Sequence, residues 1–297
     1  MSQTKPLALH MLLGTYPGTK ALKDGTLRSE LVELSFADVP RPNNGFKRMV
    51  RDLEFDVAEL AIVTFLMAKS HGKPLVLMPA VMIGRFQHPY IIYNAERGPL
   101  SPRELNGKRI GIRSYSVTTA TWIRGILQAD FGLDVDSVKW ITFEDPHVKE
   151  FIDPPSVQRA EQGKDLFQML LDGEIDAAVV GDGAKSDPRI KTLFPDPAAE
   201  AQAWRARNNA IQINHMVAVK QSLTQSNPDA VREVFRLLEE SKGIAAAQEG
   251  KSEAVFGLEA NRRNLEVAID YCYRQHLIDR RFSVDELFDD VTRGLGS

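Results

Sequence analysis

NGKRIGIRSYSVTTATW, residues 106–122, is the stretch from which the fold is read. Residues 108–112 form a short β-rich run behind the Asn106-Gly107 turn. Hydroxyl-bearing side chains crowd 114–121, and Ala120, Ile123, Ile126 and Leu127 then recur at helical spacing. Strand, turn and helix in that order are the repeating unit of an α/β sheet. The first turn of a helix exposes unpaired N–H groups and the positive end of the dipole, so acidic residues are common there. No acidic residue stands between Glu104 and Asp130, whereas Lys108, Arg109, Arg113 and Arg124 do. The pattern therefore predicts an anion site at Ser114, Tyr115, Ser116, Thr118 and Thr119, with simple capping by Ser116 or Thr118 as the plain alternative.

Upstream, residues 7–13 read as a strand, and Gly14-Thr15-Tyr16-Pro17-Gly18 as a turn into a helix bearing Lys20 and Lys23. In open α/β sheets ligands bind beyond the carboxyl ends of the strands, which makes Thr15, Tyr16 and Lys20 candidates. Residues 31–36 alternate as a second strand, and Phe46, Met49, Val50 and Leu53 share one helical face. Residues 56–63 form a third strand leading to the candidate Thr64, and 74–83 is an apolar run of the kind buried in a parallel sheet. GRFQHPYIIYN, residues 84–94, contains Arg85 and His88. The Arg85 fork matches a carboxylate, and His88 has an ordinary pKa suited to proton exchange near neutrality. A surface ion pair and a hydrogen-bonded structural imidazole are the plain readings of the two.

Downstream, strands are expected at 137–143 and 157–162. LFQMLLDGEIDAAVVG, residues 166–181, reads helix, turn and strand, with Asp182 just beyond as a ligand or turn residue. Residues 188–207 read as mostly helical around Trp204. Residues 211–219, IQINHMVAV, form a strand with Asn214 and His215 inside it, and polar groups in such a run are costly unless paired or used. Helices are expected after Asn227, over 255–274, and over 284–295. The lobes are expected to be 1–95 with 215–297, and 96–214.

A chain of 297 residues, 43% hydrophobic and 8% aromatic, has material for two cores. The net charge of -3 leaves no basic footprint for nucleic acid or an acidic membrane. Cys272 is the single cysteine, expected to be buried and inert, so no intrachain disulfide forms. The opening MSQTKPLALHMLLGTY has a short apolar run without a small-residue cleavage pattern, and no run approaches the ~20 apolar residues of a membrane span, so a cytoplasmic protein is expected. There is no Walker loop, G-x-G-x-x-G or Cys/His metal spacing. The expected partner is a small molecule, with no cofactor, no metal and no membrane, and with room for a homo-oligomer.

With chain crossings near 93–105 and 210–219, the two lobes resemble the α/β periplasmic-binding-protein type II fold, in which a hinge joins two lobes around a cleft. LSPRELNGKRIGI (100–112), GEIDAA (173–178) and SNPDAVREVFRLLEES (226–241) carry this resemblance. Within that fold the chain resembles the 4,5-dihydroxyphthalate decarboxylase family. The matching stretches are YPGTKALKDG (16–25), FKRMVRDLEFDVAELAIVTFL (46–66), GRFQHPYIIYN (84–94), SYSVTTATWIRGILQADFGL (114–133), TLFPD (192–196) and NHMVAV (214–219). It departs from the family pattern at Gly14-Thr15, Gly181-Asp182-Gly183 and Gln212-Ile213-Asn214. The resemblance implies non-oxidative loss of CO2 from a hydroxylated, phthalate-like aromatic carboxylic acid. His88 and His215 would be its acid and base in either order, with Arg85 and the 114–119 stretch holding carboxylates. The rival reading is a solute-binding protein that captures a small aromatic or organic acid for an ABC-type transporter.

Overall fold

A computed structural model describes residues 5–181, 186–249 and 254–296. In chain order the elements are β1 (Leu7–Leu12), α1 (Pro17–Lys23), β2 (Val32–Phe36), α2 (Phe46–Asp52), β3 (Val57–Ala61), α3 (Ile62–Ser70) and β4 (Leu75–Gly84). There follow β5 (Ile91–Asn94), β6 (Arg109–Ile112), α4 (Thr118–Phe131), β7 (Lys139–Thr142), β8 (Val157–Arg159), α5 (Leu166–Asp172), β9 (Ala177–Val179), β10 (Ile190–Thr192) and α6 (Pro197–Asn208). The chain ends with β11 (Ile213–Lys220), α7 (Gln221–Ser226), α8 (Pro228–Glu249) and α9 (Leu258–Arg274). It divides into two compact units, Met1–Arg85 with Ile213–Ile269 and Ile278–Ser297, and Phe86–Gln212 with Asp270–Leu277.

Among the described residues, the first unit holds a five-stranded sheet in the order β2-β1-β3-β11-β4. β1 is parallel to β2 and β3, whereas β11 is antiparallel to both β3 and β4. Two reversals restore direction, so β4 runs the same way as β1 and β3. The carboxyl ends of β1, β3 and β4 and the first residues of β11 consequently share one edge of the sheet. In register, His215 stands opposite Ala61 on one side and Ile83 on the other, and Ile213 opposite Gly84. Beneath this edge Met11, Val57, Met78, Val217, Val219 and Val234 are buried in one apolar cluster. Full burial of each such side chain contributes about 1.5–3 kcal/mol.

Three local expectations for this unit are corrected. The apolar run at 74–83 is a strand, yet it pairs antiparallel with β11 and lies last in the sheet order instead of inside a parallel sheet. α3 and α8 both pack on it, so its apolar residues are covered without a parallel neighbour on each side. The strand expected over 56–63 stops at Ala61, and α3 follows at once with Ile62 to Ala68 all buried. A helix apolar on every side leaves no 3.6-residue stripe to read. The helix expected over 284–295 is only a 3-10 turn, Asp285–Leu287, followed by turns that the Asp289 carboxylate ties by accepting from the Val291 and Thr292 amides.

The second unit's sheet runs β10-β5-β9-β6-β7-β8 among the described residues. β6, β7, β8 and β9 are parallel, and β5 is antiparallel to β9 and β10. Residues 190–192, expected within a helical stretch, form the edge strand β10 before α6 begins. α4 ends on Gly132 at φ 72°, the left-handed cap that glycine takes without a Cβ clash. α5 starts where the Asp165 side chain accepts from the Gln168 amide. Ile92, Met169, Leu170, Ile175 and Ala178 form a buried cluster in this unit. No helix among the described residues is long and apolar enough to cross a membrane.

Candidate active site

At the carboxyl edge of the first unit, three segments distant in sequence meet on one carboxylate. Glu59, on β3, is fully buried. Its Oε2 accepts from the Gly14 amide at 2.8 Å, and its Oε1 accepts from the Tyr16 hydroxyl at 2.6 Å. The His215 Nδ1, on β11, also lies 2.6 Å from Oε1. An isolated carboxylate would be very costly here, and charge-assisted bonds to both oxygens are what let it be buried.

Each donor is held in turn. Tyr16 caps the amino end of α1, where Thr19 accepts from the Tyr16 amide at 2.9 Å and donates to the Gly14 carbonyl at 2.8 Å. A Cβ on Gly14 would lie 2.4 Å from the Tyr16 ring carbon that carries the hydroxyl, so only glycine lets the ring lie across the chain and reach Glu59. Phe46 meets the His215 ring edge-on with centroids 5.3 Å apart. The His215 side chain keeps 14% exposure, and its Nε2 has no hydrogen bond to a described residue. Thr64, buried in the first turn of α3, and half-buried Arg85, directly after β4, belong to the same edge, as does exposed Thr15.

His88 sits in the second unit in different surroundings. It is almost fully buried, with Phe194 at 5.3 Å and Phe86 at 6.5 Å between ring centroids, and its Nδ1 has no hydrogen-bond partner among the described residues. Burial, reinforced by the Arg207 charge, pushes its pKa down to about 4.

The stretch at 114–119 belongs to the second unit as well. α4 begins at Thr118, so Ser114, Tyr115 and Ser116 form the turn that leads into it. Val117 is the N-cap and supplies no side-chain cap, and the first turn carries no acid. Ser114, Tyr115, Ser116 and Thr118 are buried, Thr119 half-buried, and the Ser114 hydroxyl has no hydrogen-bond partner among the described residues. Arg124 supports the turn from below: Nη2 donates to the Tyr115 carbonyl and Nε to Gln275 Oε1, both at 2.8 Å, and the guanidinium lies 3.9 Å over the Tyr115 ring. Asp182 lies outside the described residues. Cys272 is buried with its pKa pushed up by burial, as an inert core thiol requires. No group of three or more His, Cys, Asp or Glu among the described residues is arranged to hold a metal.

The structure thus brings Thr15, Tyr16, Thr64, Arg85 and His215 to one sheet edge, and sets His88 and the 114–119 turn in the other unit. Sequence reasoning missed Glu59. The available signal was the lone acid in the apolar run VAELAIV, residues 57–63, the same signal that singled out His215.

Comparison with known proteins bears on the class first. The fold is that of the periplasmic aliphatic sulphonate binding protein SsuA from Escherichia coli, with a TM-score of 0.63, 14% identity, and 95% of this chain and 97% of that chain covered. Two α/β units with a discontinuous first unit make this a periplasmic-binding-protein type II fold. No family model matches the chain. The 4,5-dihydroxyphthalate decarboxylase of Comamonas testosteroni is 30% identical over 252 residues, 80% of this chain and 76% of that protein. The enzyme of the same name from Pseudomonas putida is 30% identical over 211 residues, 67% of this chain and 81% of that protein. The chain belongs to the 4,5-dihydroxyphthalate decarboxylase family.

Proposed function

We propose that this protein is a non-oxidative decarboxylase of a hydroxylated aromatic acid, with 4,5-dihydroxyphthalate as the first substrate to test. The single observation that carries this reading is the His215 imidazole, backed by a buried carboxylate at the carboxyl edge of a sheet. A buried carboxylate behind the imidazole orients it for proton transfer, which decarboxylation requires and capture of an anion does not. Family membership supports the same reading.

Direct loss of CO2 would leave an aryl carbanion whose charge cannot enter the ring, so the ring must first be protonated. His215 Nε2 takes the proton of the hydroxyl para to the departing carboxylate, and charge moves to the carboxyl-bearing carbon. The imidazolium returns a proton to that carbon, directly or through one water. CO2 then leaves as aromaticity is restored, and the phenolate product takes one proton from solvent. From 4,5-dihydroxyphthalate the product is 3,4-dihydroxybenzoate, so the reaction serves breakdown of aromatic acids. Arg85, at the same edge, binds a carboxylate in both ground and transition states.

Proton transfer is assigned to His215 alone. A His88 imidazole with its pKa near 4 is neutral at neutral pH and too weak a base for a phenol. The anion site at Ser114, Ser116 and Thr118 stays part of the proposal for the second unit taken by itself. Its support is the acid-free first turn of α4, whose N-cap position is held by Val117. We assign the enzyme to the cytoplasm, where a chain whose single cysteine is a free thiol needs no oxidative folding, and cell fractionation checks this.

Pure protein incubated with 4,5-dihydroxyphthalate, phthalate and hydroxybenzoates, with CO2 and aromatic products followed together, is the test. CO2 release with a ring-hydroxyl requirement is expected. Tight binding of these acids without turnover of any would favour solute capture.

A further inference from the structure

We infer that Glu59 is a positioning residue that fixes His215 as the Nδ1–H tautomer, leaving the Nε2 lone pair as the proton acceptor. This rests on the decarboxylase reading for its kinetic part and on geometry alone for the rest.

The Gly14 amide can only donate, so Glu59 Oε2 must accept. Oε1 receives the Tyr16 hydroxyl and faces His215 Nδ1, each at 2.6 Å. An ionised carboxylate is acceptor-only, so the imidazole bonds to it by donating from Nδ1. Its other nitrogen is then unprotonated in the neutral ring. When His215 becomes charged during the reaction, the same carboxylate stabilises the imidazolium. Phe46, edge-on to the ring, limits rotation away from this position.

The same geometry dictates what Glu59→Gln does. The Gly14 amide still requires an acceptor, so it holds the new carbonyl oxygen where Oε2 was. The amide NH2 must then occupy the Oε1 position and face His215. There it donates to Nδ1 and drives the proton to Nε2, the wrong tautomer for a base.

The experiment uses the full chain labelled with 15N-histidine, with pH raised until the ring is neutral. The imidazole 15N shifts of His215, assigned by their loss in His215→Gln, report which nitrogen carries the proton. The parent is expected as Nδ1–H and Glu59→Gln as Nε2–H. In turnover, Glu59→Gln should lower kcat by about 10²- to 10⁴-fold while KM moves by less than about threefold. A parent ring protonated at Nε2 overturns the proposal without any variant being needed. The same tautomer in both proteins, or a loss confined to KM, overturns it too. A parent that decarboxylates no aromatic acid overturns the proposed function instead, and the 15N shifts still decide the role of Glu59.

Discussion

His88 and His215 look alike in the sequence, each a polar residue beside an apolar β-rich run, but their surroundings in the two units are opposite. His215 has a charged partner on Nδ1 and partial exposure. His88 has aromatic walls, no hydrogen-bond partner on Nδ1 among the described residues, and a pKa near 4. A buried histidine without an acceptor gives up its proton to remain neutral, whereas one bonded to a carboxylate can carry charge and return it. The partner, more than the burial, separates an imidazole that moves protons from one that fills space.

The largest effect expected from this contrast is in His215→Gln, which should lower kcat by about 10²- to 10⁴-fold with little change in KM, measured by steady-state CO2 release. Next comes Arg85→Ala. Losing a charge-assisted bond worth about 1.5–3 kcal/mol to a carboxylate should raise KM by about 10- to 100-fold and leave kcat nearly unchanged. Gly14→Ala is smaller and tests the support of the pair. Its methyl would sit 2.4 Å from the Tyr16 ring, forcing the ring off Glu59 at about 1–3 kcal/mol in stability, read by denaturant unfolding.

The least effect on turnover belongs to His88→Phe, which should change kcat by less than about threefold at neutral pH. Its signature is in stability. The folded pKa of about 4 lies below the ordinary 6.5, so the unfolded chain binds the proton first as pH falls. The parent should lose stability between pH 6.5 and 4, by up to about 3 kcal/mol, and His88→Phe should flatten that loss. A kcat collapse in His88→Phe at neutral pH would break the comparison.

Much of the α/β order was legible because it is local: β1, β6, β9 and β11 follow apolar runs bounded by glycine or polar residues. What was hidden depends on distant partners or on the loss of periodicity. The direction of β4 is set by β11, more than a hundred residues further on, so no feature inside 74–83 could announce it. α3 is apolar on every side and reads as more strand. Tyr16, Arg85 and His215 were found as single chemical oddities. Glu59, the carboxylate that joins Tyr16 and His215, acts through bonds that span 45 residues to Gly14 and 156 to His215. An acid in a strand announces nothing until those partners are beside it.

The short segment Asp270–Leu277 belongs to the second unit although it is encoded near the end of the chain. Through it Tyr271 accepts from the Trp204 indole at 3.2 Å, and Gln275 bridges the Arg124 side chain and the Thr121 carbonyl. A ribosome that has released residues 86–212 has therefore not yet released everything that unit needs. Until Tyr271 and Gln275 emerge, Arg124 lacks the acceptor for its Nε, and Trp204 lacks its hydroxyl partner. During synthesis the middle of this protein waits for its tail, so a ribosome stalled before residue 270 should leave a second unit open to proteases and chaperones.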